Sequence, residues 1–173
     1  MSITTKKGDR GDTFLYWGGK VSKDHVRIQA CGTVDELCAL LGFSKSLIKE
    51  KKIKRLLESI QADLCVVNAE LVTIPVHIGK LKKRIDKADI ARLEKMLLSL
   101  EKRRIIKERR FHLSGENIIS SSLDIARTVA RRAERHVVTL KRKNIISNPL
   151  IVIYLNRLSD LLYLLSRSYE KHH

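Results

Sequence analysis

From about residue 26 to residue 169 the apolar residues of this chain return every three or four positions, a spacing that helices turn into one continuous buried face. Ala30, Val34, Leu37 and Leu41 mark a first helix from about Val26 to Lys49. Ile53, Leu57, Ile60, Leu64, Val67 and Leu71 mark a second, stopped by Pro75, whose ring cannot continue a helix. A third opens at Asp86, a good helix cap, and runs through Ile90, Leu93, Leu97 and Leu100. The fourth covers about Asn117 to Lys141. Asn148 before Pro149 is a cap and first-turn pair for a fifth, ending near Tyr169. No convincing run of alternating strands appears, apart from a short strand expected at Thr13 to Trp17. The predicted fold is all-α: one domain over residues 1–173, with a glycine-rich loop at 1–25 ahead of a five-helix bundle at 26–169.

Charge narrows the partners. Lys and Arg number 35 against 19 Asp and Glu, a formal net charge of +16, so nucleic acid, an anionic membrane or a phosphorylated small molecule are all attracted. The segments Gly79 to Arg84 and Lys102 to Arg110 are dense in cations and read as solvated connectors. Pro149 to Leu165 is the most apolar stretch, but Asn156, Arg157 and Asp160 interrupt it, which argues against a membrane span. The first eleven residues hold no apolar core for a secretory signal. Cys31, Cys38 and Cys65 contain no CxxC pair, and Cys31 and Cys38 would sit about 10 Å apart on one helix, too far for a disulfide. They read as small buried thiols in a reducing compartment, and the chain as a soluble cytoplasmic protein.

Two separated stretches could share one anion. The N-terminal Thr5 Lys6 Lys7 Gly8 Asp9 Arg10 Gly11 Asp12 Thr13 offers backbone N–H groups and flexible lysines, with glycines that let the main chain approach a phosphate. In the fourth helix Arg127, Arg131 and Arg135 fall four apart, hence on one stripe, and three guanidiniums repel unless an anion lies across them. A nucleotide is the first ligand to consider. The loop alone would equally be a disordered arm, and the stripe a solvated face or a nucleic-acid contact. Neither GxxxxGK[ST] nor GxGxxG is present. Glu134, among the arginines, is expected to orient one of them; Asp35, at the edge of the first helix, could meet Arg127 of a neighbouring helix or subunit. On the fifth helix Leu158, Leu161, Leu162 and Leu165 face the core, while Asn156, Asp160, Tyr163 and Arg167 face water or, for Asn156, a base or sugar. Phe111 reads by default as core. The six histidines show no metal spacing.

Four blocks in order carry a resemblance: Thr5 to Gly11; Gly32 Thr33 Val34 Asp35 Glu36 Leu37; Arg127 Thr128 with Arg131 Arg132 Ala133 Glu134 Arg135; and Tyr154 Leu155 Asn156 Arg157 Leu158 Ser159 Asp160. Together they resemble the PduO-type ATP:cob(I)alamin adenosyltransferases. The resemblance implies a homotrimer of five-helix bundles with active sites between subunits. Thr5, Lys6, Lys7, Gly8, Thr13, Phe14 and Lys23 would wrap ATP, with Arg131, Arg132, Ala133, Glu134, Arg135 and Asn156 completing the pocket. Asp35 and Arg127 would form an intersubunit ion pair, and Phe111 would occupy the lower axial side of cobalt. Mg²⁺ would accompany ATP, with no separate protein-held metal. A flavin-type reductase and an adenosylcobalamin-dependent acceptor enzyme are the implied protein partners, with neither nucleic acid nor membrane.

Two departures stand out. After Phe111 the family pattern is Leu Pro Gly Gly, whereas this chain has Leu113 Ser114 Gly115 Glu116; Cys31 and Cys38 stand where an aromatic and an Asn are common. A nucleotide-gated corrinoid carrier without turnover, and a basic bundle that binds nucleic acid, are the competing readings.

Overall fold

The computed structural model describes Thr4, Lys6 and residues 8–103 and 113–170; Thr5, Lys7 and Phe111 lie outside the described residues. The chain is mostly helical: α1 (Val26–Leu47), α2 (Lys51–Leu71), a six-residue 3-10 helix (Pro75–Lys80), α3 (Lys87–Glu101), α4 (Ile118–Arg142) and α5 (Leu150–Ser168), preceded by two short strands, β1 (Asp12–Phe14) and β2 (Lys20–Ser22). α4 packs against α1 and α5, α1 against α2, and α3 against α5. The apolar stripes that define the helices in sequence are the core: Ala30, Val34, Leu37, Leu41, Leu57, Leu64, Leu158, Leu161, Leu162 and Leu165 are fully buried. Among the described residues no helix is long and apolar enough to cross a membrane.

The helix starts follow their caps. Asp86 Oδ1 accepts from Ala88 N and Asp89 N, and Asp89 returns a carboxylate oxygen to Asp86 N, a reciprocal box that satisfies donors left over at the helix start. Asn117 does the same with Ser120 for α4, and its Nδ2 donates to Tyr169 O at 2.7 Å, joining the start of α4 to the end of α5. Asn148 Oδ1 accepts from Leu150 N at 3.1 Å, while its Nδ2 donates to buried Glu70 and to Ile85 O.

Three expectations are corrected. The N-terminal loop is a β-hairpin: β1 pairs antiparallel with β2, Thr13 opposite Val21, so the expected strand ends earlier and has a partner. Gly18 and Gly19 make the reversal. A Cβ on Gly18 would meet Leu15 Cβ at 2.8 Å, and Leu15 N donates to Gly19 O. Tyr16 N then donates to Val72 O at 2.9 Å, fastening the hairpin to the end of α2. Second, Pro75 does more than stop α2: it starts the 3-10 helix, where its fixed φ suits a first turn. The connector after it, Gly79 to Arg84, is mostly exposed as expected, with Lys83 Nζ on Asp89 Oδ1 at 3.0 Å, and the chain re-enters the core at Ile85. Third, Cys31 and Cys38 are half-buried and Cys65 is exposed, because α1 and α2 turn these positions toward the bundle's flank.

The core also holds charge. Tyr154, fully buried on α5, donates to Asp63 Oδ2 at 2.7 Å, and Arg92 of α3 pairs with the same carboxylate. Burial, reinforced by Asp63, raises the Tyr154 hydroxyl's pKa well above the ordinary phenol value, so it remains a donor.

Candidate functional site

Two basic clusters form. In the hairpin region Lys6, Arg10, Phe14 and Lys20 line an open cavity of about 560 Å³. Lys6 has φ 57° and Gly11 φ 82°, left-handed values that turn the chain sharply here. Lys23 N donates to Gly11 O at 2.8 Å, and a Cβ on Gly8 would lie 2.9 Å from Lys23 Nζ, so glycine allows that ammonium to approach the loop backbone. Phe14 is 65% exposed, a ring standing free at the rim. Thr13 is half-buried in the strand pair.

On the second half of α4, Arg131, Glu134, Arg135, Val138, Thr139 and Arg142 line a cavity of about 400 Å³. Arg131 and Arg135 are exposed, and neither has an anionic partner among the described residues. Arg132 is committed to Glu36 of α1. Asn156 of α5 donates from Nδ2 to Glu134 Oε1 at 3.3 Å, and its Oδ1 accepts from Arg157 Nη1 at 3.0 Å. Ala133 is fully buried, so its methyl faces the core and not the cavity. The end of α1 that carries Val26, the end of α2 and the turn after α4 meet through Arg27. Its Nη1 donates to Leu71 O and Thr73 O, and its Nη2 to Ile145 O. The hairpin therefore docks at the end of the bundle toward which the arginine-bearing half of α4 runs.

The structure rearranges part of the expected constellation. The stripe of three open guanidiniums is a stripe of two. Arg127 is half-buried, its Nε donates to Asp124 Oδ1 at 3.0 Å, and its Cζ lies 5.9 Å from the Tyr163 ring centre. Between Arg131 and Arg135 the arginine with a carboxylate is Arg132, held by Glu36, whereas Glu134 faces Asn156. Asp35 is exposed on α1, and within one chain Arg127's carboxylate is Asp124. Arg167, placed in sequence on the outer stripe of α5, is 2% exposed and paired with Asp124. Asp124 and Glu36 were missed; the available signals were the three-residue spacing from Asp124 to Arg127 and the lone exposed acid beside Asp35.

Residues 3–169 match the family model described as cobalamin adenosyltransferase. A corrinoid adenosyltransferase of Citrobacter freundii is 35% identical over 169 residues, covering 97% of this chain and 94% of that protein. The corrinoid adenosyltransferase PduO of the same organism is 39% identical over 168 residues, 97% of this chain; the chain spans about half the length of that relative, 50%. A solved structure of a variant PduO-type ATP:corrinoid adenosyltransferase from Lactobacillus reuteri, complexed with cobalamin and ATP, superposes with a TM-score of 0.87 at 32% identity, covering 96% of this chain and 89% of that one.

Proposed function

The chain belongs to the cobalamin adenosyltransferase family, and from that premise we propose how its residues carry out ATP-dependent adenosyl transfer to a corrinoid. The protein is a corrinoid adenosyltransferase whose two substrates are ATP and the corrinoid. One observation carries the assignment of roles: Arg131 and Arg135 stand open at a cavity while the neighbouring Arg132, Glu134 and Asn156 are fixed by partners. Two unpaired guanidiniums beside positioned polar groups fit a polyphosphate next to a base and sugar.

In the reaction, Co(I) attacks the 5′ carbon of ATP; the cobalt–carbon bond forms from the cobalt electron pair, the carbon–oxygen bond breaks, and triphosphate leaves with its electrons. Charge grows on the leaving group, so fixed donors there lower the barrier. Arg131, Arg135, Lys6 and Lys23 supply them. Thr5, Lys7, Gly8, Thr13 and Phe14 wrap the nucleotide, Arg132 shapes the pocket wall through Glu36, and Asn156 with Glu134 meets the base or ribose. Ala133 contributes by its small size beneath them. Phe111 excludes a lower ligand from cobalt, which makes Co(II) easier to reduce. Mg²⁺ would accompany the triphosphate. Its oxygen ligands would be phosphate and water, and it would spread the leaving group's charge.

The site is completed in a homotrimer, where Asp35 of one copy meets Arg127 of the next. A cytoplasmic location, a flavin-type reductase and an adenosylcobalamin-dependent acceptor complete the setting. Asp35→Asn is expected to leave the monomer folded and lower the rate about tenfold at low protein concentration, since an interface ion pair of this kind is worth about 1.4 kcal/mol. Activity against protein concentration, read beside sedimentation, checks it; an unchanged rate removes the pair.

A single-turnover assay with chemically reduced cobalamin tests the function. ATP-dependent loss of Co(I) absorbance should release one triphosphate per corrinoid. Corrinoid and ATP binding without that release would instead favour the carrier.

A further inference from the structure

Asp124 is a buried carboxylate that the roles above do not use. It is 3% exposed, one turn ahead of Arg127 on α4, and both oxygens are occupied. Oδ1 accepts from Arg127 Nε at 3.0 Å and from Ser166 Oγ at 3.3 Å; Oδ2 accepts from Ser114 Oγ at 2.8 Å and from the Arg167 guanidinium. Its charge is balanced by Arg127 and Arg167 together, since Arg167 also faces Glu170. Ser114 is different: it is exposed, it lies on the segment leading into α4, and only its hydroxyl reaches inward. Gly115, at φ 117°, then turns the chain toward the Asn117 cap. A cavity of about 300 Å³ opens at this junction, with Ser114 and Gly115 on one side and Ile125 and Thr128 of α4 on the other.

We propose that Asp124 is a positioning residue that sets two parts of the site at once, the guanidinium of Arg127 and the segment at Ser114. Because Asp124 takes Arg127 through Nε, the terminal nitrogens of that guanidinium stay available for a second carboxylate, such as Asp35 of a neighbouring copy. Because the same carboxylate holds Ser114, the backbone three residues beyond Phe111 in sequence is tied to the helix that bears Arg127. Subunit contact and the corrinoid side of the site thus share one buried anchor. This rests on the functional reading above.

Removing Asp124 would strip buried Arg167 of one of its two carboxylates and disturb the core, so the test uses the exposed partner. The wild-type chain, Ser114→Ala and Ser114→Thr are assayed for turnover with chemically reduced Co(I) cobalamin, varying corrinoid and ATP in turn, and separately mixed with Co(II) cobalamin at saturating ATP. The readouts are KM for corrinoid, KM for ATP, and the visible spectrum of bound Co(II), which reports loss of the lower ligand. Ser114→Ala should raise the corrinoid KM about tenfold, the loss of roughly one charge-assisted hydrogen bond, and reduce the fraction of Co(II) lacking a lower ligand. The ATP KM and the melting temperature should not move, and Ser114→Thr, which keeps the hydroxyl, should stay close to wild type. An unchanged corrinoid KM and spectrum in Ser114→Ala would overturn the proposal, as would Ser114→Thr failing like alanine, or a fall in melting temperature with both KM values shifted. A wild type that turns over normally confines any such failure to the anchor; a wild type with no ATP-dependent turnover overturns the functional reading as well.

Discussion

Arg131→Ala is expected to lower ATP-dependent adenosyl transfer by about 10²- to 10³-fold, the usual loss when one preorganised donor is taken from a developing negative charge. Arg131 is exposed at the α4 cavity with no anion of its own among the described residues, so its charge is free for a ligand. Arg132, one residue on, is already paired with Glu36 and should tolerate replacement better. The loss should fall mainly on turnover, because triphosphate carries more charge on this side when it leaves than when it is still bonded to the 5′ carbon. Single-turnover kinetics from pre-reduced Co(I) isolate that step. A rate within threefold of wild type would remove Arg131 from the reaction. The competing nucleic-acid reading makes an opposite forecast: steep salt-dependent binding to DNA or RNA, only slightly weakened by loss of one cation among many.

The contrast between Arg131 and its neighbours bears on the chain's net charge of +16. Arg27, Arg92, Arg132, Arg157 and Arg167 each have an acceptor within the fold. A count of arginines therefore overstates how many face a ligand. Position on a helix stripe does so too, since Arg127 shares the stripe with Arg131 and is held by Asp124.

What was legible in the sequence follows from how local the signal is. Apolar spacing fixed which face of each helix is buried, and Asp86, Asn117 and Asn148 marked three helix starts, because both effects act within one or two turns. The hairpin was hidden: three-residue strands are too short to show alternation, and what holds them, Tyr16 on Val72, joins positions 56 residues apart. The same reason hid Arg167 and Asp124, 43 residues apart, since an arginine near a helix end looks identical whether it reaches water or a buried acid. Ser114 read as a departure from the family pattern; its partner, Asp124, appears only once the chain is folded.

Arg27→Met should be the most destabilising single change at the hairpin end of the bundle. Arg27 is 4% exposed and donates to three main-chain carbonyls, Leu71, Thr73 and Ile145, with no carboxylate among these acceptors. Burial lowers its pKa from the ordinary arginine value, although a guanidinium starts so high that it stays charged. The carbonyls at the end of α2 carry the negative end of that helix's dipole, which favours a cation there. Methionine can fill much of the volume but donates nothing, leaving three buried acceptors short of a partner. Three unmade bonds, partly relieved by water, amount to about 3 kcal/mol, or roughly a 6–12 °C fall in Tm for a chain of this size. Urea unfolding measures the first and thermal unfolding the second. The effect should also reach ATP, because Val72, between two of those acceptors, is where Tyr16 fastens the hairpin. A higher ATP KM with an unchanged corrinoid KM would mark the hairpin as the element loosened. Loss of stability with both KM values intact would instead show that Lys6, Gly8 and Lys23 find the nucleotide without a rigid base beneath them.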